Sequence, residues 1–83
     1  MKYVAKTMGP SGHTEQEVDR AGLMQLVTER LESGPYNTHV KNDKGSGTVL
    51  VAPQVQDVMN AVDEAGTTAQ EVSVLFFAPV AGG

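Results

Sequence analysis

Apolar residues repeat at helical spacing in two stretches of the chain. In residues 19–33, Leu23, Val27 and Leu31 recur at every fourth position, which places them on one face of an α-helix. Residues 54–65 contain a second stripe, in which apolar residues are spaced by three or four positions. The members of this second stripe are Val55, Val58, Met59 and Val62. The pattern therefore predicts two amphipathic helices.

Glycine ends both predicted helices. Gly34 is followed by Pro35, so we expect Gly34 to adopt the left-handed conformation of a helix C-terminus, after which proline cannot continue the helix. Gly66 is predicted to end the second helix. Met24 and Met59 lie on or beside the two stripes and are predicted to fill space in the core.

Stretches of β-forming residues predict strands at 2–8, 36–42, 47–52 and 70–79. The polar sequence DKGS separates the middle two, which predicts a hairpin. The last strand has apolar residues on both faces, and we expect it to be a central strand covered on both sides. One face carries Val72, Val74 and Phe76, and the other carries Leu75 and Phe77.

The secondary structure of residues 13–19 distinguishes between two possible α+β folds. If they form a strand, the order is strand-strand-helix-strand-strand-helix-strand, which is the β-grasp plan of ubiquitin. If they begin the helix, Thr14 and Glu17 form a capping box, and the order is the ferredoxin-like βαββαβ. A helix through Val18 would point that side chain away from the apolar stripe, whereas a strand can bury it. The length of the second helix favours the ferredoxin-like order, so both alternatives stay open on pattern alone.

Composition narrows the classes of function. Residues 1–83 are expected to form one small domain, with 80–83 as a flexible C-terminal tail. The net charge is −4 with no basic stripe, so nucleic acid is not an expected partner. The chain has no cysteine and no apolar run long enough to cross a membrane, and it lacks a signal-peptide pattern. These features predict a cytoplasmic protein without membrane association.

No set of residues in the sequence predicts catalysis. The two histidines, His13 in an expected loop and His39 in an expected strand, have no further ligands at metal-binding spacing. The glycine-rich segments fit neither a P-loop nor a dinucleotide-binding pattern. We therefore expect no metal, no cofactor and no enzymatic activity.

The chain ends in EVSVLFFAPVAGG, which resembles the C-terminal end of ubiquitin-like sulfur carriers. The similarity is strongest to the small subunit of molybdopterin synthase, whose last strand runs through paired phenylalanines and Pro-Val into Gly-Gly. The matching residues are Phe76, Phe77, Pro79, Val80, Gly82 and Gly83. The acidic turn usual before that strand is replaced here by TTAQ, so the resemblance indicates the superfamily and not one subfamily.

The resemblance implies a protein that is a substrate of its partner. An activating enzyme would adenylate the carboxylate of Gly83, with Gly82 allowing the tail to pass through a narrow channel. The activated tail would then be conjugated to an acceptor protein or converted to a thiocarboxylate. Phe77, Pro79 and Val80 would contact the partner. The amines that could accept a second copy are Lys2, Lys6, Lys41 and Lys44.

A second hypothesis belongs to a different class of protein. The chain could be a non-enzymatic binding or assembly module, for example a phage-like structural or adaptor protein, in which the glycines are inert. Exposed strand edges would then mediate contacts with neighbouring molecules.

Overall fold

Five strands and two helices make up the computed structural model, which describes residues 1–9 and 12–79. The strands form one mixed sheet in the order β2-β1-β5-β3-β4, in which β1 and β5 are parallel and all other neighbours are antiparallel. The protein is therefore a small α+β domain, as predicted. The elements are β1 (Lys2–Gly9), β2 (Gly12–Val18), α1 (Arg20–Ser33), β3 (Asn37–Asn42), β4 (Gly47–Leu50), α2 (Val55–Ala65) and β5 (Glu71–Phe77).

The segment that could have been a strand or the start of a helix, residues 13–18, is a strand. Strand β2 pairs with β1 from Gly9↔Gly12 to Tyr3↔Val18, so the capping box proposed for a helical start does not form. Val18 is half-buried and packs against the core. The element order is therefore strand-strand-helix-strand-strand-helix-strand, and the ferredoxin-like order is wrong. His13, expected in a loop, lies in β2.

Helix α1 begins with a side-chain cap. The Asp19 carboxylate accepts a hydrogen bond from the backbone N–H of Gly22 at 2.7 Å, which satisfies one of the free donors of the first turn. At the other end Gly34 has φ 169°, which is extended backbone, so the predicted left-handed conformation is wrong. Pro35 explains the difference, because the residue before a proline is driven towards extended conformations.

Both helices pack on one face of the sheet, and the core lies between the helices and that face. Leu23 and Val27 of α1 are fully buried there, whereas Met24 is 46% exposed and is not the core residue that was predicted. Met24 is displaced by about 100° around the helix from Leu23, which turns it out of the interface. The core cluster consists of Ala5, Leu23, Val27, Val40, Val58, Met59, Val62, Val72, Val74 and Phe76.

One asparagine organises the β3–β4 turn. The Asn42 side-chain oxygen accepts hydrogen bonds from the backbone N–H groups of Lys44 and Ser46, at 2.9 and 3.1 Å. Its amide nitrogen donates to the carbonyl oxygen of Ala65 at 2.9 Å, at the end of α2. Gly45 has φ 90°, a value that glycine tolerates best. The predicted hairpin is thus confirmed, and its turn is joined to the second helix.

Strand β4 is shorter than predicted. It ends at Leu50, and Ala52 then adopts φ 46°, a left-handed conformation that is uncommon for a residue with a side chain. The N–H of Ala52 donates to the side-chain oxygen of Asn37 at 2.9 Å, which holds the chain as it turns towards α2.

An ion pair joins the exposed sides of the two helices. Arg20 Nε donates to Asp63 Oδ1 at 2.9 Å, and Arg20 Nη2 donates to Asp63 Oδ2 at 2.7 Å. These hydrogen bonds lower the pKa of Asp63 below its ordinary value of 3.8. Since the carboxylate is stabilised in the folded state, the pair contributes stability above about pH 4, and this contribution is lost as the pH falls through the lowered pKa.

The Asp63→Asn variant is therefore expected to have a slightly lower free energy of unfolding than the wild type at pH 7. The two proteins should be equally stable at a pH where Asp63 of the wild type is protonated. Urea unfolding of the variant and the wild type should show a difference in the free energy of unfolding that shrinks as the pH falls below about 4. Glu29→Gln is the matched control, because Glu29 is exposed and makes no ion pair among the described residues. A difference for Asp63→Asn that stays constant with pH would contradict this assignment.

Candidate functional site

The site that the sequence predicted begins at the end of the central strand β5. It lies between β1 and β3, and its last residue, Phe77, is opposite Met8 on one side and Asn37 on the other. Ala78 and Pro79 follow and are exposed. The predicted site residues Val80, Gly82 and Gly83 lie outside the described residues. Phe77 and Pro79 are therefore the described part of this site.

The two adjacent phenylalanines have different environments. Phe76 is fully buried in the core, where its ring meets the ring of Tyr36 edge to face, with centroids 6.3 Å apart. Phe77 points to the opposite face of the sheet and is half-buried. Phe76 therefore stabilises the fold, and Phe77 is the phenylalanine that a partner can reach.

The face of the sheet away from the helices, here called the open face, has an apolar strip of Leu75, Phe77 and Met8 at the end of β5, and His39 separates this strip from Val49. The prediction that β5 is covered on both sides is wrong, because both helices pack on the Phe76 side. Leu75 and Phe77 are half-buried on the open face, whereas Met8 is 52% exposed and Val49 is 56% exposed. Val4 lies on the same face at 6% exposure, shielded by neighbouring side chains.

Charged residues lie beside this strip on the β2 side. Lys2 Nζ is 3.3 Å from a carboxylate oxygen of Glu17, and Lys6 Nζ is 3.5 Å from one of Glu15. These pairs are exposed, so they contribute little to stability, but they reduce the availability of two lysines to a partner.

The other two candidate acceptor amines are not paired in this way. Lys41 is exposed on β3 and Lys44 is exposed in the β3–β4 turn, and neither forms an ion pair with the described acidic residues. Lys2, Lys6 and Lys41 lie on the open face and Lys44 lies in the turn, and this geometry does not distinguish one lysine as an acceptor.

His39 lies on the open face between Leu75 and Val49. A Cβ atom placed on Gly47 would be only 2.9 Å from His39 Nε2, so the absence of a side chain at this position makes room for the imidazole ring. His13 is separated from His39 by strands β1 and β5. Across residues 1–9 and 12–79, no three histidine or acidic side chains are grouped closely enough to bind a metal ion.

The sequence did not identify Met8, Asn37 or Val49 as neighbours of the site, because they reach it through strand pairing across the sheet. Neither helix in the described part of the chain is long and apolar enough to span a membrane. No protein-family model, curated protein or solved structure matches the chain.

Proposed function

We propose that the protein is a ubiquitin-like β-grasp protein whose Gly83 carboxylate is activated by a partner enzyme. The observation that supports this best is the position of β5. This strand is central and parallel to β1, and it ends at Phe77, directly before the segment APVAGG in the sequence. A sheet whose central strand is followed by a glycine-rich segment suits a protein whose C-terminal residues are bound by successive enzymes.

The proposed reaction has two steps. An oxygen of the Gly83 carboxylate attacks the α-phosphorus of ATP, pyrophosphate leaves, and an acyl adenylate forms. A nucleophile then attacks the acyl carbon and AMP leaves. A lysine amine of an acceptor protein gives an isopeptide bond, and a donor of hydrosulfide gives a thiocarboxylate, with loss of a proton from the nucleophile in each case. ATP and both nucleophiles are supplied by partners in the cytoplasm, and Gly83 must carry a free carboxylate in the functional protein.

Phe77, Pro79 and Val80 would hold the activating enzyme next to the glycines. Phe77 continues the apolar strip of the open face, so a partner docked there would contact the sheet and the end of β5 together. Pro79 has no N–H donor and restricts its own φ, which limits the directions that the following residues can take. Gly82 and Gly83 have no Cβ, so they suit a narrow channel in the partner.

The test is modification of the intact protein by purified adenylating enzymes of the sulfur-carrier and protein-modifier types. With ATP and such an enzyme, wild-type protein is expected to gain the mass of an adenylate, or of a thiocarboxylate when a sulfur donor is added. Deletion of Gly83 should abolish both products. The Lys44→Arg variant should form as much adenylate as the wild type, because Lys44 lies in the β3–β4 turn, far from Gly83 in the sequence.

Two outcomes would count against the proposal. One is the absence of any mass change with every enzyme tested. The other is equal modification of wild type and the Gly83 deletion, which would place the reactive group elsewhere.

A non-enzymatic binding or assembly module is the second candidate function. The observation in its favour is β4, an exposed edge strand of residues Gly47–Leu50 that carries no charged side chain. Under this function, removal of Gly82 and Gly83 would leave the biological activity unchanged.

A further inference from the structure

A wide groove separates helix α2 from strand β4. Its volume is about 650 Å³, and its floor is formed by Val40, Thr48 and Leu50. Ala61 and Ala65 lie along its helical wall, one turn apart. Because these two side chains are small, the helix and the strand do not fill the space between them.

The edge of β4 beside this groove is free to pair. β4 is the last strand in the sheet order, so one side of its backbone has no neighbouring strand among residues 1–9 and 12–79. Edge strands are commonly protected from pairing by charged residues or proline. The β4 sequence GTVL has neither, and Val49 is 56% exposed. The backbone of β4 is thus suited to accept another strand.

The opposite edge of the sheet, at β2, has no comparable groove beside it. The space between β2 and α1 measures only about 10 Å³, and Leu26 and Arg30 line it. Arg30 Nε donates to Thr7 Oγ1 at 3.1 Å across this space. Strand β2 also carries Glu15 and Glu17, which oppose uncontrolled pairing. Of the two described edges, the β4 edge is the one with an open groove beside it.

The helical wall of the groove is acidic. Helix α2 carries Asp57, Asp63 and Glu64 and has no basic residue. Asp63 is paired with Arg20, but Asp57 and Glu64 both line the groove. Asp57 accepts a hydrogen bond from the backbone N–H of Gln54 at 3.0 Å. A segment bound in the groove would therefore be favoured by positive charge.

We propose that the β4–α2 groove binds an extended, basic segment of a partner protein, which pairs with β4 as a sixth strand. Side chains alternate along a strand, so every second residue would face α2 and the residues between would lie beside Val49 on the open face. Lysine or arginine suits the positions that face α2, because Asp57 and Glu64 are there. Aliphatic residues suit the positions beside Val49.

A second copy of this chain is a poorer occupant. The other free edge of the chain, β2, has no lysine or arginine to face α2, and its Glu15 and Glu17 lie on the open face, where they would approach Val49. Pairing of two β4 edges would bring two α2 helices of like charge together. This inference stands independently of the activation of Gly83, since no residue of the groove belongs to the end of β5.

The experiment is a titration of ¹⁵N-labelled protein with a short synthetic peptide that alternates lysine and valine between terminal glycines. The expected result is chemical-shift change concentrated in residues 47–51 and 57–65, at low salt. A peptide with glutamate in place of lysine should bind more weakly. A lysine-valine peptide with N-methyl groups on alternate backbone nitrogens of its pairing edge should not bind, because it cannot complete the strand ladder.

Three variants of the protein make the test specific. Glu64→Lys should weaken binding by about three- to tenfold, because one exposed charge pair is lost and a like charge replaces it. Ala61→Phe should weaken it further by filling the groove. Glu32→Lys makes the same charge change on α1, outside the groove lining, and should leave the affinity within about twofold of wild type.

Several results would overturn the proposal. These are shift changes centred on β2 or on the end of β5, equal affinity for the lysine and glutamate peptides, or equal weakening by Glu64→Lys and Glu32→Lys. Concentration-dependent dimerisation of the free protein through residues 47–51, measured by sedimentation, would make a second copy the occupant instead.

Discussion

Phe76→Ala is expected to destabilise the protein by about 3–5 kcal/mol, whereas the same change at the next residue should have a far smaller effect. Phe76 is fully buried and contacts Tyr36, so its removal leaves a cavity in the centre of the core. The stability of a domain of this kind is about 5–15 kcal/mol, so the loss is a large part of the total. Urea unfolding followed by circular dichroism measures the difference.

Phe77→Ala is the matched control, because it removes the same atoms from the half-buried face. We expect it to cost about 1–2 kcal/mol and to leave the fold intact. In the adenylation assay, this variant should react more slowly than wild type if Phe77 contacts the activating enzyme. Equal destabilisation by both substitutions would mean that the two faces of β5 do not differ in burial as described.

Val18→Asp is expected to destabilise the protein by about 2–3 kcal/mol. Val18 ends β2 on the side that faces the helices, where it packs against the core, and a carboxylate there would lose part of its hydration. Val49→Asp supplies the comparison, because Val49 is also in a strand but is 56% exposed on the open face. Its cost should stay within about 1 kcal/mol, which is the range of strand propensity.

Thermal unfolding of the two variants, followed by circular dichroism, distinguishes burial from strand propensity. If Val18→Asp and Val49→Asp lower the melting temperature equally, Val18 does not pack as described. Retention of wild-type stability by Val18→Asp would also argue against β2 as a paired strand.

The sequence predicted both helices because each has a repeating apolar stripe and a glycine stop. Leu23 and Val27 are buried, and so are Val58 and Val62, as their spacing required. The pattern could not decide residues 13–18, since β2 is polar and exposed along most of its length. Its identity as a strand depends on pairing with β1, which local sequence does not encode.

Long-range packing explains why the predictions for Met24 and for the two faces of β5 were wrong, and a neighbouring proline explains the conformation of Gly34. Met24 looked like a core residue, but the direction of α1 against the sheet turns it towards solvent. The apolar residues Leu75 and Phe77 suggested a second covering layer, yet no described element covers the open face. The conformation of Gly34 is set by Pro35, so a nearest-neighbour effect overrode the usual preference of glycine at a helix end.

The candidate sites differed in how far the sequence could identify them. Phe77 and Pro79 were recognised from a linear motif, and the structure adds their neighbours Met8 and Asn37 through strand register. The β4–α2 groove was not predicted at all. Ala61 and Ala65 look like ordinary helix residues in sequence, and they form a groove only because β4 lies opposite them.

The central position of β5 has a consequence for how the chain folds. Strands β1 and β2 form one hairpin and β3 and β4 form another, and within the sheet these hairpins are joined only through β5. The register pairs Lys2 with Glu71, so this pairing closes a loop that contains most of the chain. Closing such distant contacts is entropically costly and slows folding compared with local structure. Completion of the sheet is therefore expected to be the slow step of folding, and until it occurs each hairpin has a second unprotected edge.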